Sequence, residues 1–298
     1  MSPLQWYRSL IWGSCRRFLL GVAVVVLAGT MPSHAVQIVS NGTYSYNTND
    51  NIGLSVSGWS SGWGSGGDGW NYVGELAGAG GSGVYLGNGW VLTCNHVGAG
   101  AFTLNGNTYN TAGPIQNTFT NSSGQVADLS LFKIQTVSTT GSNLSLAPLT
   151  LMTNAPSVNK PFVMIGYGYT NGVGPESWGT NSVYIANYPL ALTGYPYTSQ
   201  DFLTLNSGAV YNTTVNGDSG GGAFINAGTT SSPNWQLAGI SEASVNYTPG
   251  GTGSAFVELS AYAPQIQAYV VPEPATWVLL VPGVAMLVFT CPMRRQRS

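Results

Sequence analysis

An all-β protein, sandwich or barrel, is the fold class this 298-residue sequence predicts, and two observations predict it. Short apolar or alternating stretches recur at close intervals between Gly and Asn punctuation, and the chain between its two ends lacks the Glu, Lys, Arg and Leu runs that build helices. In chain order the stretches are residues 83–86, 90–93, 101–104, 129–134, 162–165, 182–185, 235–240 and 254–257. The first two flank Gly87-Asn88-Gly89, read as a three-residue hairpin connection that Gly89 closes in the left-handed region. His96 therefore falls just beyond a hairpin strand. One helix is expected, over residues 259–269, with Pro264 in its first turn. Residues 58–70 keep no period. They read as loop with local packing for Trp59, Trp63 and Trp70, the alternative being an aromatic platform for carbohydrate or peptide.

The two ends carry targeting patterns. In residues 1–35, Arg8, Arg16 and Arg17 precede an apolar run over 18–29, and Ser33-His34-Ala35 supplies the small-x-small pattern of a signal-peptide cleavage site. That run of about twelve residues is too short for the roughly 20 of a spanning helix, which disfavours an uncleaved anchor and starts the mature chain near Val36. In residues 271–298, Val271-Pro272-Glu273-Pro274 leads into an apolar stretch over 275–293, then Arg294, Arg295 and Arg297. This three-part layout resembles the PEP-CTERM sorting signals of bacterial exported proteins. The resemblance implies an exosortase-type sorting enzyme as partner, transient membrane association, and delivery to the cell envelope, biofilm matrix or medium. A plain C-terminal anchor is the other reading.

Residues 36–270 form the remaining domain, large enough for a substantial core. Its only basic side chains are Lys133 and Lys160, against nine carboxylates, so phosphate-backbone binding is disfavoured and no nucleic-acid partner is expected. Cys94 is its only cysteine and His96 its only histidine, which leaves no disulfide and no thiolate-imidazole metal cluster. No metal or cofactor is expected. Cys94 reads as a small buried hydrophobe, since nothing nearby in sequence would activate its thiol.

The strongest chemical signal is Asn216-Gly217-Asp218-Ser219-Gly220-Gly221-Gly222. A serine between glycines can sit on a sharp backbone turn with its hydroxyl exposed, and the N–H groups of Gly217 and Ser219 are then the candidate oxyanion donors. The segment also fits the Gly-x-Ser-x-Gly elbow of α/β-hydrolases, but that arrangement needs a histidine after the serine, and none follows Ser219. Three further segments matter. Gly81-Ser82-Gly83-Val84 with residues 89–97, Gly-Trp-Val-Leu-Thr-Cys-Asn-His-Val, resembles the histidine region of the chymotrypsin-like serine proteases. Residues 127–134, Ala-Asp-Leu-Ser-Leu-Phe-Lys-Ile, resemble the aspartate strand of that family, and Ile165-Gly166-Tyr167-Gly168 its Gly-aromatic-Gly strand. With the serine loop they keep the family's chain order.

The resemblance implies two six-stranded antiparallel β-barrels with the active site between them, and His96, Asp128 and Ser219 as a catalytic triad. Asp218 would then be the structural acid of the nucleophile loop rather than the triad aspartate. The implied function is a serine endopeptidase that cleaves protein or peptide substrates through an acyl-enzyme intermediate. Thr213 matches the base of the primary substrate pocket, and Ser241, Glu242 and Ala243 its wall, where Glu242 is unusual. A threonine base implies weak preference for Lys or Arg. In zymogen relatives a released hydrophobic N-terminus pairs with the acid equivalent to Asp218; Ile38-Val39 is a faint match to such a terminus, two residues inside the expected cleavage point. The competing function is a catalytically degenerate chymotrypsin-like module used in cell-surface or matrix binding. Oligomeric state is left open by the sequence.

Overall fold

The computed structural model describes residues 36–63, 67–168, 174–248 and 250–271; the expected signal peptide and all but the first residue of the expected sorting signal lie outside them. Among the described residues no helix is long and apolar enough to cross a membrane. Two short strands come first, β1 (Gln37–Ser40) and β2 (Thr43–Ser45). The first half follows as β3 (Val73–Ala77), β4 (Gly81–Gly87), β5 (Trp90–Thr93), β6 (Ala101–Leu104), β7 (Asn107–Tyr109), β8 (Thr111–Gln116) and β9 (Ser130–Ile134). The second half comprises β10 (Pro161–Gly166), β11 (Ser177–Ser182), β12 (Ile185–Ala191), β13 (Thr198–Leu203), β14 (Val210–Thr213), β15 (Gly222–Asn226), β16 (Trp235–Asn246) and β17 (Thr252–Glu258).

These strands make two curled antiparallel sheets of seven strands each, half-barrels of the chymotrypsin-like type, in orders β7-β6-β3-β4-β5-β9-β8 and β11-β10-β15-β16-β17-β13-β12. The strand count is one more per sheet than the six expected. A third, small sheet, β14-β1-β2, ties the start of the described chain to the second half. Both sheets carry apolar cores: Leu76, Val84, Val91, Leu92, Phe102 and Phe132 are buried in the first half, where β4 and β5 are buried on both faces, and Phe162, Phe202 and Phe256 in the second. Phe202 and Phe256 stack at 5.1 Å between ring centroids and Phe162 meets both edge-on, the arrangements that the ring quadrupoles favour.

Local expectations fare unevenly. Gly87 pairs with Trp90, so the hairpin turns on two residues rather than three: Asn88 and Gly89 carry φ of 53° and 80°, the geometry of a type I′ turn. Residues 182–185 are not one strand: Ser182 ends β11, Ile185 begins β12, and residues 183–184 connect them. The expected terminal helix divides into a 3₁₀ turn, Leu259–Ala261, and a helix, Ala263–Val270, that begins with Pro264 in its first turn, where a missing N–H costs nothing. Among the described residues of 58–70, Trp59 belongs to the core rather than to an aromatic platform. Trp59 is 1% exposed and packs against Trp63 and Trp235 at 4.8 Å each and against Phe224 at 6.0 Å, clamping the N-terminal segment onto β15 and β16.

Truncating this clamp removes a large buried side chain from a site that the surrounding strands cannot collapse into. Trp59→Ala is expected to cost about 3–5 kcal/mol of unfolding free energy in urea titration. A loss below about 1 kcal/mol would show that the cluster does not hold the segment.

Candidate active site

His96 stands immediately after β5, where Val97 and Gly98 N–H groups both bond back to the Cys94 carbonyl, at 3.2 and 3.1 Å, and curl the chain. The turn brings the imidazole to Asp128, which is fully buried at the entry to β9. Both carboxylate oxygens are engaged by the same residue: Oδ1 accepts the His96 backbone N–H at 2.8 Å, and Oδ2 meets His96 Nδ1 in a short contact. An ionised carboxylate only accepts, so Nδ1 carries the proton and Nε2 is left with a lone pair. The imidazole side chain is 17% exposed, open to a ligand on one edge. Asp128 is positioned in turn from the second half, its N–H donating to Ser199 Oγ on β13 at 3.0 Å.

Ser219 lies on the loop between β14 and β15, and the loop's shape follows from its glycines. Gly217 and Gly220 have φ of 91° and 89°, and a Cβ on Gly220 would overlap the Ser82 carbonyl oxygen and the Thr93 hydroxyl. Ser82 on β4 pins the loop to the first half: its N–H donates to the Ser219 carbonyl at 2.8 Å and its hydroxyl to the Gly217 carbonyl at 3.2 Å. Among the described residues, the backbone N–H groups of Gly217 and Ser219 have no protein acceptor. The Ser219 hydroxyl donates to the Glu242 carbonyl at 3.3 Å. A turn about its Cα–Cβ bond is required before that proton can point at His96.

Asp218 faces away from the triad. Its Oδ2 accepts the Val215 N–H at 2.8 Å and its Oδ1 the Val36 N–H at 3.2 Å, in a fully desolvated pocket. Burial pushes its carboxyl up to about 8, which the two backbone donors offset only in part. Gly166, the glycine of the Gly-aromatic-Gly segment, lies directly against this carboxylate with no room for a Cβ. Val36 is 1% exposed, and its carbonyl accepts the Ser177 hydroxyl at 3.2 Å.

The pocket residues divide. Thr213 Oγ1 takes part in a neutral polar cluster with Asn206 Nδ2 at 3.2 Å and Ser254 Oγ at 3.1 Å. Ser241 is buried and its N–H and carbonyl bond to Gly221 and Gly220 at 2.8 Å each, bracing the serine loop. Ala243 is half-buried against Leu190, Leu203, Val245 and Ala255. The Glu242 side chain is not the solvated charge expected as the alternative to a place on the pocket wall. It is 2% exposed, and its Oε1 accepts the Ser199 hydroxyl at 2.7 Å. The cause is a β-bulge: Ser241 pairs with Phe256 and Ala243 with Ala255, so Glu242 is the extra residue and its side chain turns inward.

Three side chains of this region lacked any sequence signal of their own. Ser199 and Asp201 sit two apart on β13 and share a buried face behind Asp128, and only the scarcity of charge in the chain could have singled out Asp201. Tyr195 places an exposed ring 5.5 Å from the His96 ring and stacks on Tyr197 at 6.1 Å. Cys94, His96 and Asp128 each offer a ligand atom within 4.8 Å of the others. That set suits a hydrogen-bonded relay better than a metal. Burial and the nearby carboxylates hold the Cys94 thiol well above its ordinary range, and its Sγ donates to the Ser241 carbonyl at 3.0 Å.

The family model for trypsin matches residues 66–266. Among solved structures, mouse neuropsin is 19% identical, with 67% of this chain and 94% of that one covered at a TM-score of 0.49. The active form of the Rv3671c protease from M. tuberculosis is 16% identical, covering 68% and 80% at 0.46. The MamO protease domain from Magnetospirillum magneticum is 19% identical, covering 67% and 97% at 0.45. Curated proteins gave no match.

The crowding at Gly220 predicts a sharp intolerance there. Gly220→Ala forces both a positive φ and an overlap with Ser82, and is expected to cost more than about 2 kcal/mol in denaturant titration. A variant as stable as the parent would mean that the loop does not dock on β4 as described.

Proposed function

The chain belongs to the trypsin family of chymotrypsin-like serine proteases, and from that premise we propose that it is an exported serine endopeptidase acting through His96, Asp128 and Ser219. The observation that carries this reading is the chain's single body histidine, held by both of its N–H groups on one buried carboxylate, beside a serine loop pinned to the same seam. A binding module has no need to bury Asp128 against His96.

In the proposed reaction Ser219 Oγ, rotated off the Glu242 carbonyl, forms a bond to the scissile carbonyl carbon while His96 Nε2 takes its proton. The Gly217 and Ser219 N–H groups donate to the oxyanion, and Asp128 stabilises the imidazolium. His96 then protonates the departing amine, the C–N bond breaks, and the acyl-enzyme is hydrolysed by water with His96 again as base. With Thr213 at its base among neutral partners, the primary pocket offers no acid for Lys or Arg side chains.

Activation follows from Val36. Cleavage after Ala35 would convert its buried N–H, already 3.2 Å from Asp218 Oδ1, into an α-ammonium, and the opposite charge would lower the Asp218 carboxyl from about 8 and fix the nucleophile loop. Ile38 and Val39 are unsuited to be this terminus because both lie within β1, paired with β14 and β2. Removal of the leader is then also the activating cut, and the C-terminal segment sorts the product to the envelope, matrix or medium.

Ser219→Ala and His96→Ala are expected to abolish covalent labelling by a serine-directed organophosphonate, and Asp128→Asn to lower kcat by about 10⁴, the loss seen for this arrangement in general. Undiminished labelling of Ser219→Ala sinks the assignment; a peptide-library profile dominated by Arg and Lys before the cut sinks the neutral pocket. A mature chain carrying extra residues ahead of Val36 is expected to lose at least about tenfold in kcat/KM. It should also lose stability as pH rises through about 8, because an Asp218 carboxyl held above its unfolded value stabilises only while protonated. Equal activity with and without the extension would remove Val36 from the activation step.

A further inference from the structure

Behind the triad lies a second acid pair that the reaction above does not use. Asp201 is fully buried and Glu242 is 2% exposed. Neither Asp201 oxygen has an N–H or O–H donor among the described residues, and Glu242 Oε2 has none, while Glu242 Oε1 is taken by Ser199. The two carboxyl groups face each other within hydrogen-bond reach. Two carboxylates meeting out of water cannot both ionise without strong repulsion, whereas one proton between them satisfies an oxygen on each.

The surroundings sharpen the point. Asp128 at the head of β9 and Glu258 at the end of β17 add negative charge, Cys94 and Tyr262 stay neutral, and Ser199 contributes a hydroxyl. Among the described residues, the one cation that faces the pair is His96 when protonated. Glu242 also touches both ends of the triad: its side chain holds Ser199, which receives the Asp128 N–H, and its carbonyl receives the Ser219 hydroxyl.

We propose that Glu242 and Asp201 share one proton, and that Glu242 is a positioning residue that sets Asp128 through Ser199. The positioning role rests on the triad reading given above; the shared proton does not. Burial holds Asp201 well above the usual carboxylate range and Glu242 up to about 7. Carboxyls raised in this way contribute stability that is complete below their unfolded values and is lost as pH climbs through their folded ones. Loss of the shared proton also adds a second negative charge behind Asp128.

Glu242→Gln and Asp201→Asn test both parts, because each places an amide N–H where the proton sits and leaves a single carboxyl to titrate. The melting temperature of the purified mature chain is expected to fall as pH climbs from about 4 through about 7, and to fall less steeply in either variant. The kcat/KM profile of the parent is expected to show an alkaline step that both variants lack. Glu242→Ala, without an acceptor for Ser199, is expected to lower kcat at least about tenfold with KM little changed, and Glu242→Gln to restore most of that loss. Parent-like pH dependence of melting in both amide variants overturns the shared proton. Glu242→Gln as damaging to kcat as Glu242→Ala overturns the positioning role. Should Glu242→Ala not fold, kcat of Glu242→Gln against the parent decides that role, a tenfold loss overturning it. Failure of the parent to take the organophosphonate label fails the triad reading and the positioning role with it, and the melting profiles still decide the proton.

Discussion

Burying carboxylates where no lysine or arginine reaches them is the constraint on which the rest of this molecule depends. Asp128, Asp201, Asp218, Glu242 and Glu258 are all buried, yet the body of the chain has only Lys133 and Lys160, and Lys133 lies over the Trp90 ring at 5.4 Å. Among the described residues the His96–Asp128 contact is the only ion pair. Each remaining acid is met by hydrogen bonds or keeps its proton, because an unpaired buried charge costs several kcal/mol. Backbone N–H groups from Val36 and Val215 meet Asp218, and the Ser199 hydroxyl meets Glu242. Where donors are short, the carboxyls are pushed upward, as at Asp218 and Glu242.

The same economy of donors joins the two halves. Asp128 at the start of β9 reaches Ser199 on β13, Ser82 on β4 holds the loop carrying Ser219, and Cys94 after β5 donates to Ser241 on β16. No disulfide crosses this seam, since Cys94 is the lone cysteine of the body. Hydrogen bonds in a water-poor interface, together with the aromatic packing around Trp59 and Phe224, do that work instead. A perturbation on either sheet is therefore transmitted to the other through groups that have few alternative partners.

Much of the fold was legible because its signals are local. β4, β5, β6, β9, β10, β16 and β17 coincide with short apolar stretches between turn residues, and Asn88-Gly89 marks its hairpin by the positive φ it tolerates. β1, β2, β7, β8, β11, β12 and β14 did not stand out, being short, polar or largely exposed strands held by their neighbours rather than by an apolar pattern of their own. The tryptophans of residues 58–70 were ambiguous for the same reason: whether an indole faces water or a core depends on what packs over it, here β15 and β16.

The candidate site shows the same division. Residue type, chain order and the absence of any second body histidine are properties of the sequence, and they singled out His96, Asp128, Ser219 and the glycines of the loop as one set. Which groups face each carboxylate was decided only in three dimensions. A bulge between Ser241 and Ala243 turns Glu242 inward, β13 carries Ser199 and Asp201 behind Asp128, and β1 pairs with β14 so that Val36 N–H reaches Asp218. Strand register and burial arise between segments up to 182 residues apart. Local propensity cannot encode them, and they determine where a charge is stripped of water and which single donor is left to receive it.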